Sequence, residues 1–249
     1  IGSSIPLVAL HNADVRLYVK LRKFDEVSYY EQFTTFRNKP RLKCNVIAEY
    51  IYVEEEERNK IATSKLEYLV DVLQYNGDIT ITNGVFDDQG YIQAITKFKN
   101  SSKAIYWLLQ NNSYINGSLD NGEKRWDLYS YDLAGTTNPG KIAKIQFNGR
   151  DREIFKEIEF YNFVHAYERH NSDPTIGINA YCFSLNPESL QPEGSANLSR
   201  IDDVYIVMNL KDEVMEDISV NNTTYRMGIY SLSINVLRIF SGLGGLVFE

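Results

Sequence analysis

Short segments in which apolar and polar side chains alternate recur along this chain, and most are cut off by a turn. Leu66, Tyr68, Val70 and Val72 alternate with Glu67, Leu69, Asp71 and Leu73, and Tyr181 and Phe183 alternate with Cys182 and Ser184. Successive side chains of a strand point to opposite faces, so a period of two predicts half-buried strands. Further extended segments are expected at residues 5–22, 44–53, 91–99, 104–110, 141–147, 204–210 and 225–239. Asn76-Gly77-Asp78, Asn83-Gly84 and Asn148-Gly149 supply turns. Glu54 to Ile61 fits a short helix, because its acids come first and Arg58 and Lys60 follow, matching the helix dipole. Residues 24–42 lack periodicity and read as a linker. Residues 111–140 form the longest polar stretch, and residues 152–167 admit a helical turn between strands. Gly242, Gly244 and Gly245 break the last apolar segment.

Roughly eight strand signals divided by turns indicate an all-β sandwich. Eight antiparallel strands in two packed sheets suit a jelly roll, although periodicity alone does not separate it from other sandwiches. The composition agrees, since 13% of the residues are aromatic and aromatics favour strands. The net charge of −7 opposes direct binding of nucleic acid by the average field. Two cysteines, Cys44 and Cys182, make no disulfide framework and fit a reducing compartment. No stretch offers about 20 apolar residues, so no membrane-spanning helix is expected.

Reactive constellations are absent from the sequence pattern. His165 and His170 stand five apart with no neighbouring Cys, and His11 stands alone, so capping or surface roles are expected rather than a metal site. Cys182 sits in a strand pattern, where a buried inert thiol is the default. Asp87-Asp88-Gln89-Gly90 lacks the later ligands of a calcium loop and reads as a turn. No phosphate-binding glycine loop is present. The expectation is therefore no enzyme activity, no cofactor and no metal. Sequons begin at Asn100, Asn111, Asn116, Asn197, Asn221 and Asn222 and are candidate glycosylation positions that read as mostly incidental.

The stretch Cys182 to Asp202, CFSLNPESLQPEGSANLSRID, joins two strand signals through a shaped loop. Pro187, Pro192 and Gly194 exclude a strand or helix interior. Arg200 and Asp202 would share one face of an extended chain, placed to bond each other or to lock the loop's backbone.

This stretch resembles a signature of the major capsid proteins of nucleocytoplasmic large DNA viruses. The resemblance is carried by Ser184-Leu185-Asn186-Pro187 and then by Gln191-Pro192-Glu193-Gly194-Ser195-Ala196-Asn197-Leu198-Ser199-Arg200-Ile201-Asp202. Three more segments agree in family order: Ile5 to Leu10, Glu49 to Leu73 and Asn235 to Phe248. The resemblance implies two tandem jelly rolls. Residues 1–43 would be the end of the first roll plus a linker, and residues 44–249 the second roll. Residues 5–22 would lie beside the sandwich without joining its sheets, their Val15/Leu17/Val19/Leu21 face poorly covered within this chain. It further implies a structural protein of an icosahedral capsid that forms homotrimeric, pseudo-hexagonal capsomers. The partners would be further copies, neighbouring capsomers and minor capsid proteins, with no direct nucleic acid and no membrane span. The setting would be the virion, assembled in host cytoplasm. Pro187, Gln191, Pro192, Gly194, Ser195, Asn197, Ser199, Arg200 and Asp202 would be structural signature residues. A second class, a lectin-like carbohydrate-binding jelly roll, is also open to this fold, with Trp107, Trp126, Tyr129 and Tyr131 as a stacking platform.

Overall fold

The computed structural model describes residues 4–27, 41–116, 124–170, 172 and 174–248. Eight main strands form, all but β5 where the sequence analysis expects extended chain: β1 (Leu66–Ile81), β2 (Tyr91–Thr96), β3 (Ser101–Asn111), β4 (Gly140–Phe147), β5 (Arg150–Glu157), β6 (Ile178–Cys182), β7 (Val204–Leu210) and β8 (Tyr225–Phe240). They build two sheets, in the orders β1-β8-β3-β6 and β2-β7-β4-β5. A short β9 (Leu243–Leu246) pairs with β8, and Ala196–Asn197 pair with Ser101 and Ser102 of β3.

This order has a simple origin. Lay strands 1 to 4 antiparallel against strands 8 to 5 as one long ribbon, and β1 meets β8, β2 meets β7, β3 meets β6 and β4 meets β5. Rolling the ribbon then brings β8 beside β3 and β7 beside β4. The antiparallel registers of β2 with β7, β3 with β6 and β8, and β4 with β5 and β7 follow this scheme. The fold is a jelly-roll sandwich.

Burial follows the alternation. Ile92 and Ala94 of β2, Ala143 and Ile145 of β4, and Ile206 and Met208 of β7 face Ile105, Trp107 and Leu109 of β3 and Met227 and Ile229 of β8. At about 25 cal/mol per Å2 of apolar surface, each such side chain contributes roughly 1.5–3 kcal/mol. The Asn148-Gly149 turn joins β4 to β5 with φ of 50° and 75°, the conformation that a two-residue hairpin requires.

The chain divides into two compact units. One comprises Ile1–Phe24, Thr35–Val70 and Asn235–Glu249. Its small core gathers Ala9, Leu10 and Ile239 against Leu66, Tyr68 and Leu237. The other comprises Asp25–Thr34 and Asp71–Ile234 and holds the sandwich core. The division falls within β1 and β8.

Several expectations are corrected. No residue between 4 and 23 belongs to a strand, and Leu7–Ala9 form a single 3-10 turn; the expectation that residues 5–22 join neither sheet and leave Val15, Leu17, Val19 and Leu21 poorly covered does hold, since these four are 52–70% exposed. Residues 44–53 likewise form no strand. Alternation defines a face but not a partner, and a strand exists only where another backbone accepts its hydrogen bonds. Asn76-Gly77-Asp78 is not a turn: β1 runs through it, with Gly77 at φ 85°. The expected helix is present as α2 (Glu55–Thr63), following a four-residue α1 (Phe24–Val27). The remainder of the expected linker, residues 28–40, lies outside the described residues. The helical turn expected within residues 152–167 is present as a π-turn (Phe160–Val164) leading into α4 (His165–His170), whereas α3 (Asn112–Asn116), at the start of the long polar stretch, and α5 (Asp212–Val220) were not anticipated. Gly244 and Gly245 do not end strand structure but sit within β9.

Candidate functional site

The loop between β6 and β7 carries the sequence signature, and backbone bonds give it its shape. The amides of Phe183 and Ser184 both donate to the Lys103 carbonyl, at 2.8 and 3.1 Å, so the chain leaving β6 is still held on β3. The Leu185 amide donates to the Glu193 carbonyl at 3.0 Å and closes the loop. Gly194 stands at φ 112°, and a Cβ there would lie 3.0 Å from the Phe183 carbonyl oxygen, so glycine is required. Asn197 caps the 3-10 turn Leu198–Arg200 by accepting from the Ser199 amide at 3.1 Å. The Ser199 hydroxyl accepts from the Asn100 amide at 2.7 Å, and the Leu198 amide donates to the Asn100 carbonyl at 2.9 Å. Asn100, at φ 69°, turns the chain from β2 into β3.

Beneath the loop lies a buried cation. Lys103 is only 1% exposed. The register of β3 against β8 shifts between Ser102 and Ala104, so Lys103 is the extra residue of a bulge, a device that re-aims a side chain. Its ammonium donates to the carbonyls of Pro187 and Ser189, at 3.3 and 2.9 Å, and pairs with Asp71 of β1, at 2.8 and 3.0 Å to the two carboxylate oxygens. One side chain thus ties β3, β1 and the loop. The sequence reading missed it. The available signal was a lone Lys in the otherwise apolar run that continues to Leu109.

Of the signature residues, Pro187 is buried, while Gln191, Pro192, Gly194, Ser195, Asn197 and Ser199 are exposed. Arg200 and Asp202 are both exposed, and among the described residues Arg200 makes no bond or ion pair. The expectation that Arg200 locks the loop is corrected: the lock is Lys103, supplied from the neighbouring strand.

His165, His170 and Cys182 meet at the edge of the first sheet. His165 is buried and stacks on Tyr181 at 5.2 Å, and its Nε2 accepts from the Cys182 amide at 2.9 Å, capping a backbone group at the edge of β6. Burial, with the Arg169 cation nearby, lowers the proton affinity of this imidazole. His170 lies with Nε2 3.3 Å from the Cys182 sulfur and 3.4 Å from the Tyr106 hydroxyl, and with Nδ1 3.2 Å from a Glu188 carboxylate oxygen. Burial pushes the Cys182 thiol up to about 12. The sequence offered no sign of this cluster, because its members come from β3, α4, β6 and the loop. Among the described residues no group of three or more His, Cys, Asp or Glu side chains is placed to hold a metal ion.

The remaining candidates divide by burial. Asn111 is buried and its side chain bonds the Tyr225 hydroxyl and the Ser113 amide, so it is not an open acceptor for a glycan. Asn100 is half-buried, whereas Asn116, Asn197, Asn221 and Asn222 are exposed. The Asp87 carboxylate accepts from the Gln89 and Tyr91 amides, which is turn geometry. The four aromatics form no common platform. Trp107 is fully buried against Tyr161, Tyr131 packs on the core, and the Arg226 guanidinium lies over Trp126 at 5.6 Å.

Comparison with known proteins gives this geometry a setting. The family model described as "Large eukaryotic DNA virus major capsid protein" matches residues 57–245. "Probable capsid protein 4" of Acanthamoeba polyphaga mimivirus is 31% identical over 218 residues, 84% of this chain and 39% of that protein. The "Major capsid protein" of Paramecium bursaria Chlorella virus 1 is 27% identical over 277 residues, 99% of this chain and 63% of the relative. Among solved structures, a chain of the "PBCV-1 virus capsid, quasi-atomic model" superposes with a TM-score of 0.63 at 24% identity, covering 80% of this chain and 55% of that one. The chain therefore spans 39% to 63% of the length of these curated relatives. With the family model covering most of the sandwich and the loop signature lying inside the match, the chain belongs to the large eukaryotic DNA virus major capsid protein family.

Proposed function

We propose that the protein is a structural component of a large DNA virus capsid and assembles as a homotrimeric, pseudo-hexagonal capsomer. The family match carries the reading. A jelly roll with its strands in the order β1-β8-β3-β6 over β2-β7-β4-β5 is a stiff block whose loops vary without disturbing its sheets. In this reading residues 44–249 form one roll, and residues 1–43 are the end of a preceding roll plus a linker. The exposure of Val15, Leu17, Val19 and Leu21, and of Leu42, Val46, Ile47, Ile51 and Tyr52, fits such a plan, in which a preceding roll would cover these apolar side chains. The partners are two further copies of the chain, neighbouring capsomers and minor capsid proteins, in a virion assembled in host cytoplasm. Native mass spectrometry of the full-length protein at micromolar concentration should give trimers. Monomers alone would overturn the trimeric reading.

A further inference from the structure

The cluster at the edge of β6 has the form of a nucleophile, a base and an orienting carboxylate. The Cys182 sulfur lies 3.3 Å from Nε2 of His170, whose Nδ1 lies 3.2 Å from Glu188. Read as a chain of donors, the thiol gives its hydrogen to Nε2, and Nδ1–H gives its hydrogen to the carboxylate, which fixes the tautomer. A cavity of about 220 Å3 opens beside it, walled by Tyr106, Ala166, His170, Pro174, Ala180 and Glu188. Cys182 shares a face of β6 with Ala180, two residues away, and its sulfur lies behind the cavity wall, in contact with the His170 ring that forms part of it. Four elements converge: β3 with Tyr106, α4 with His170 and Arg169, β6 with Cys182, and the signature loop with Glu188.

We propose that Cys182 is a reactive thiol site, with His170 as its base and Glu188 as a positioning residue, and that it takes small uncharged disulfides through this cavity. Buried as it is, the thiol holds its proton, so a free thiolate is not the attacking species. The proton instead passes to Nε2 of His170 as the sulfur attacks one sulfur of the disulfide. The disulfide's S–S bond breaks, the new mixed disulfide forms on Cys182, and the departing thiolate takes up the proton. The incoming disulfide is the oxidant and Cys182 is oxidised. Base assistance of this kind is worth about 10²–10⁴-fold in rate. A bulky adduct on Cys182 would also displace His170 and with it the Glu188 contact, coupling the state of this thiol to the signature loop.

The test uses the full chain with Cys44, which is exposed, replaced by Ser. The probe is dithiodipyridine, a small neutral disulfide that releases a chromophoric thiopyridone. Cys182→Ser in the same background assigns the signal. One equivalent of thiopyridone should appear at a rate proportional to reagent concentration. That rate should not follow ionisation of the buried thiol at high pH. The other titratable groups facing the sulfur and His170 are Tyr106, Arg169, Glu188 and, beyond Tyr106, Asp71. His170→Ala should slow the reaction at least about 10²-fold. Glu188 is exposed, so Glu188→Gln keeps the fold and should slow it about threefold, a small part of the base assistance, because the carboxylate acts only through His170. The proposal is overturned if the rate is independent of reagent concentration, which marks attack only on the unfolded chain. It is equally overturned if the rate follows thiol ionisation at high pH, or if neither variant slows it. Trimer formation is read separately, so failure here leaves the capsomer reading intact.

Discussion

Replacing Lys103 by Met tests whether one buried cation sets the position of the signature loop. The substitution keeps chain length and apolar volume but removes the only charge on the side chain. Three acceptors then lose their donor: the Asp71 carboxylate and the carbonyls of Pro187 and Ser189. The Asp71 side chain is 35% exposed and can turn to water, so its loss is that of one charge-assisted hydrogen bond, about 1.5–3 kcal/mol. The two carbonyls add roughly 1 kcal/mol each where water does not reach them. Relief of the buried ammonium's desolvation offsets part of this. A net loss of about 3 kcal/mol is expected, which for a chain of this size lowers Tm by roughly 6–12 °C. Asp71→Leu should cost about 3–5 kcal/mol, because it strands the ammonium among neutral carbonyls. The double variant should then be more stable than the sum of the two losses predicts, with a coupling of about 2 kcal/mol. Urea unfolding gives the energies. Digestion with a glutamyl protease, mapped by mass spectrometry, should show faster cleavage at Glu188 and Glu193 in Lys103→Met. Single-variant losses below about 1 kcal/mol, or strict additivity, would refute the reasoning.

Three further outcomes are expected. Folding lowers the proton affinity of His165, so the unfolded chain binds more protons, and stability is full above about pH 6.5 and falls as pH drops below it. Urea midpoints at about pH 7.5 and about pH 5.5 should therefore differ more for the wild type than for His165→Gln, which keeps an acceptor for the Cys182 amide; equal differences would remove His165 from the acid response. Gly194→Ala should cost about 1–2 kcal/mol in thermal unfolding, with Ser195→Ala, at an exposed neighbour, as a control near zero. Arg200→Ala should cost under about 1 kcal/mol, and a larger loss would point to a partner that the exposed guanidinium does not have among the described residues.

The sandwich was legible wherever alternation coincided with a turn. Ile92 and Ala94, Ala143 and Ile145, and Ile206 and Met208 fall on the inner face that their spacing implies. Glu55–Thr63 was legible because its charge order matches the dipole. Helix α5 was missed although Val214 and Ile218, four apart, mark its buried face. The segments at 5–22 and 44–53 were misjudged for the opposite reason: their pattern is that of a strand, but no described strand pairs with them. The site was legible as a string and illegible as a mechanism. Asn197 and Gly194 could be placed from residue type alone, since one caps and the other permits a positive φ. Lys103 could not, because the bulge that turns it toward the loop is a register between strands more than a hundred residues apart. The same holds for His170, which acquires its partners only when α4 packs over β6.

The treatment of sheet edges bears on how such a block associates. An open edge offers unpaired backbone groups to any other strand, a hazard that grows with local concentration. Here each terminal strand considered carries its own protection. On β6, His165 occupies the Cys182 amide. On β5, the sequence from Arg150 to Glu157 is dense in charge and mostly exposed. From β1, two side-chain amides reach the connection between β2 and β3. Gln74 exchanges bonds of 2.7 and 2.9 Å with the Lys99 carbonyl and amide, and Asn76 exchanges bonds of 3.2 Å with the Ile95 carbonyl and the Lys97 amide. These clamps hold the β2–β3 connection against β1 without giving the edge a repeating register that a foreign strand could extend. The edges at β6 and β5 are therefore poorly suited to joining copies by strand addition. The sandwich's specific contacts would be made through side-chain surfaces and loops, which a shell protein can vary while its sheets stay the same.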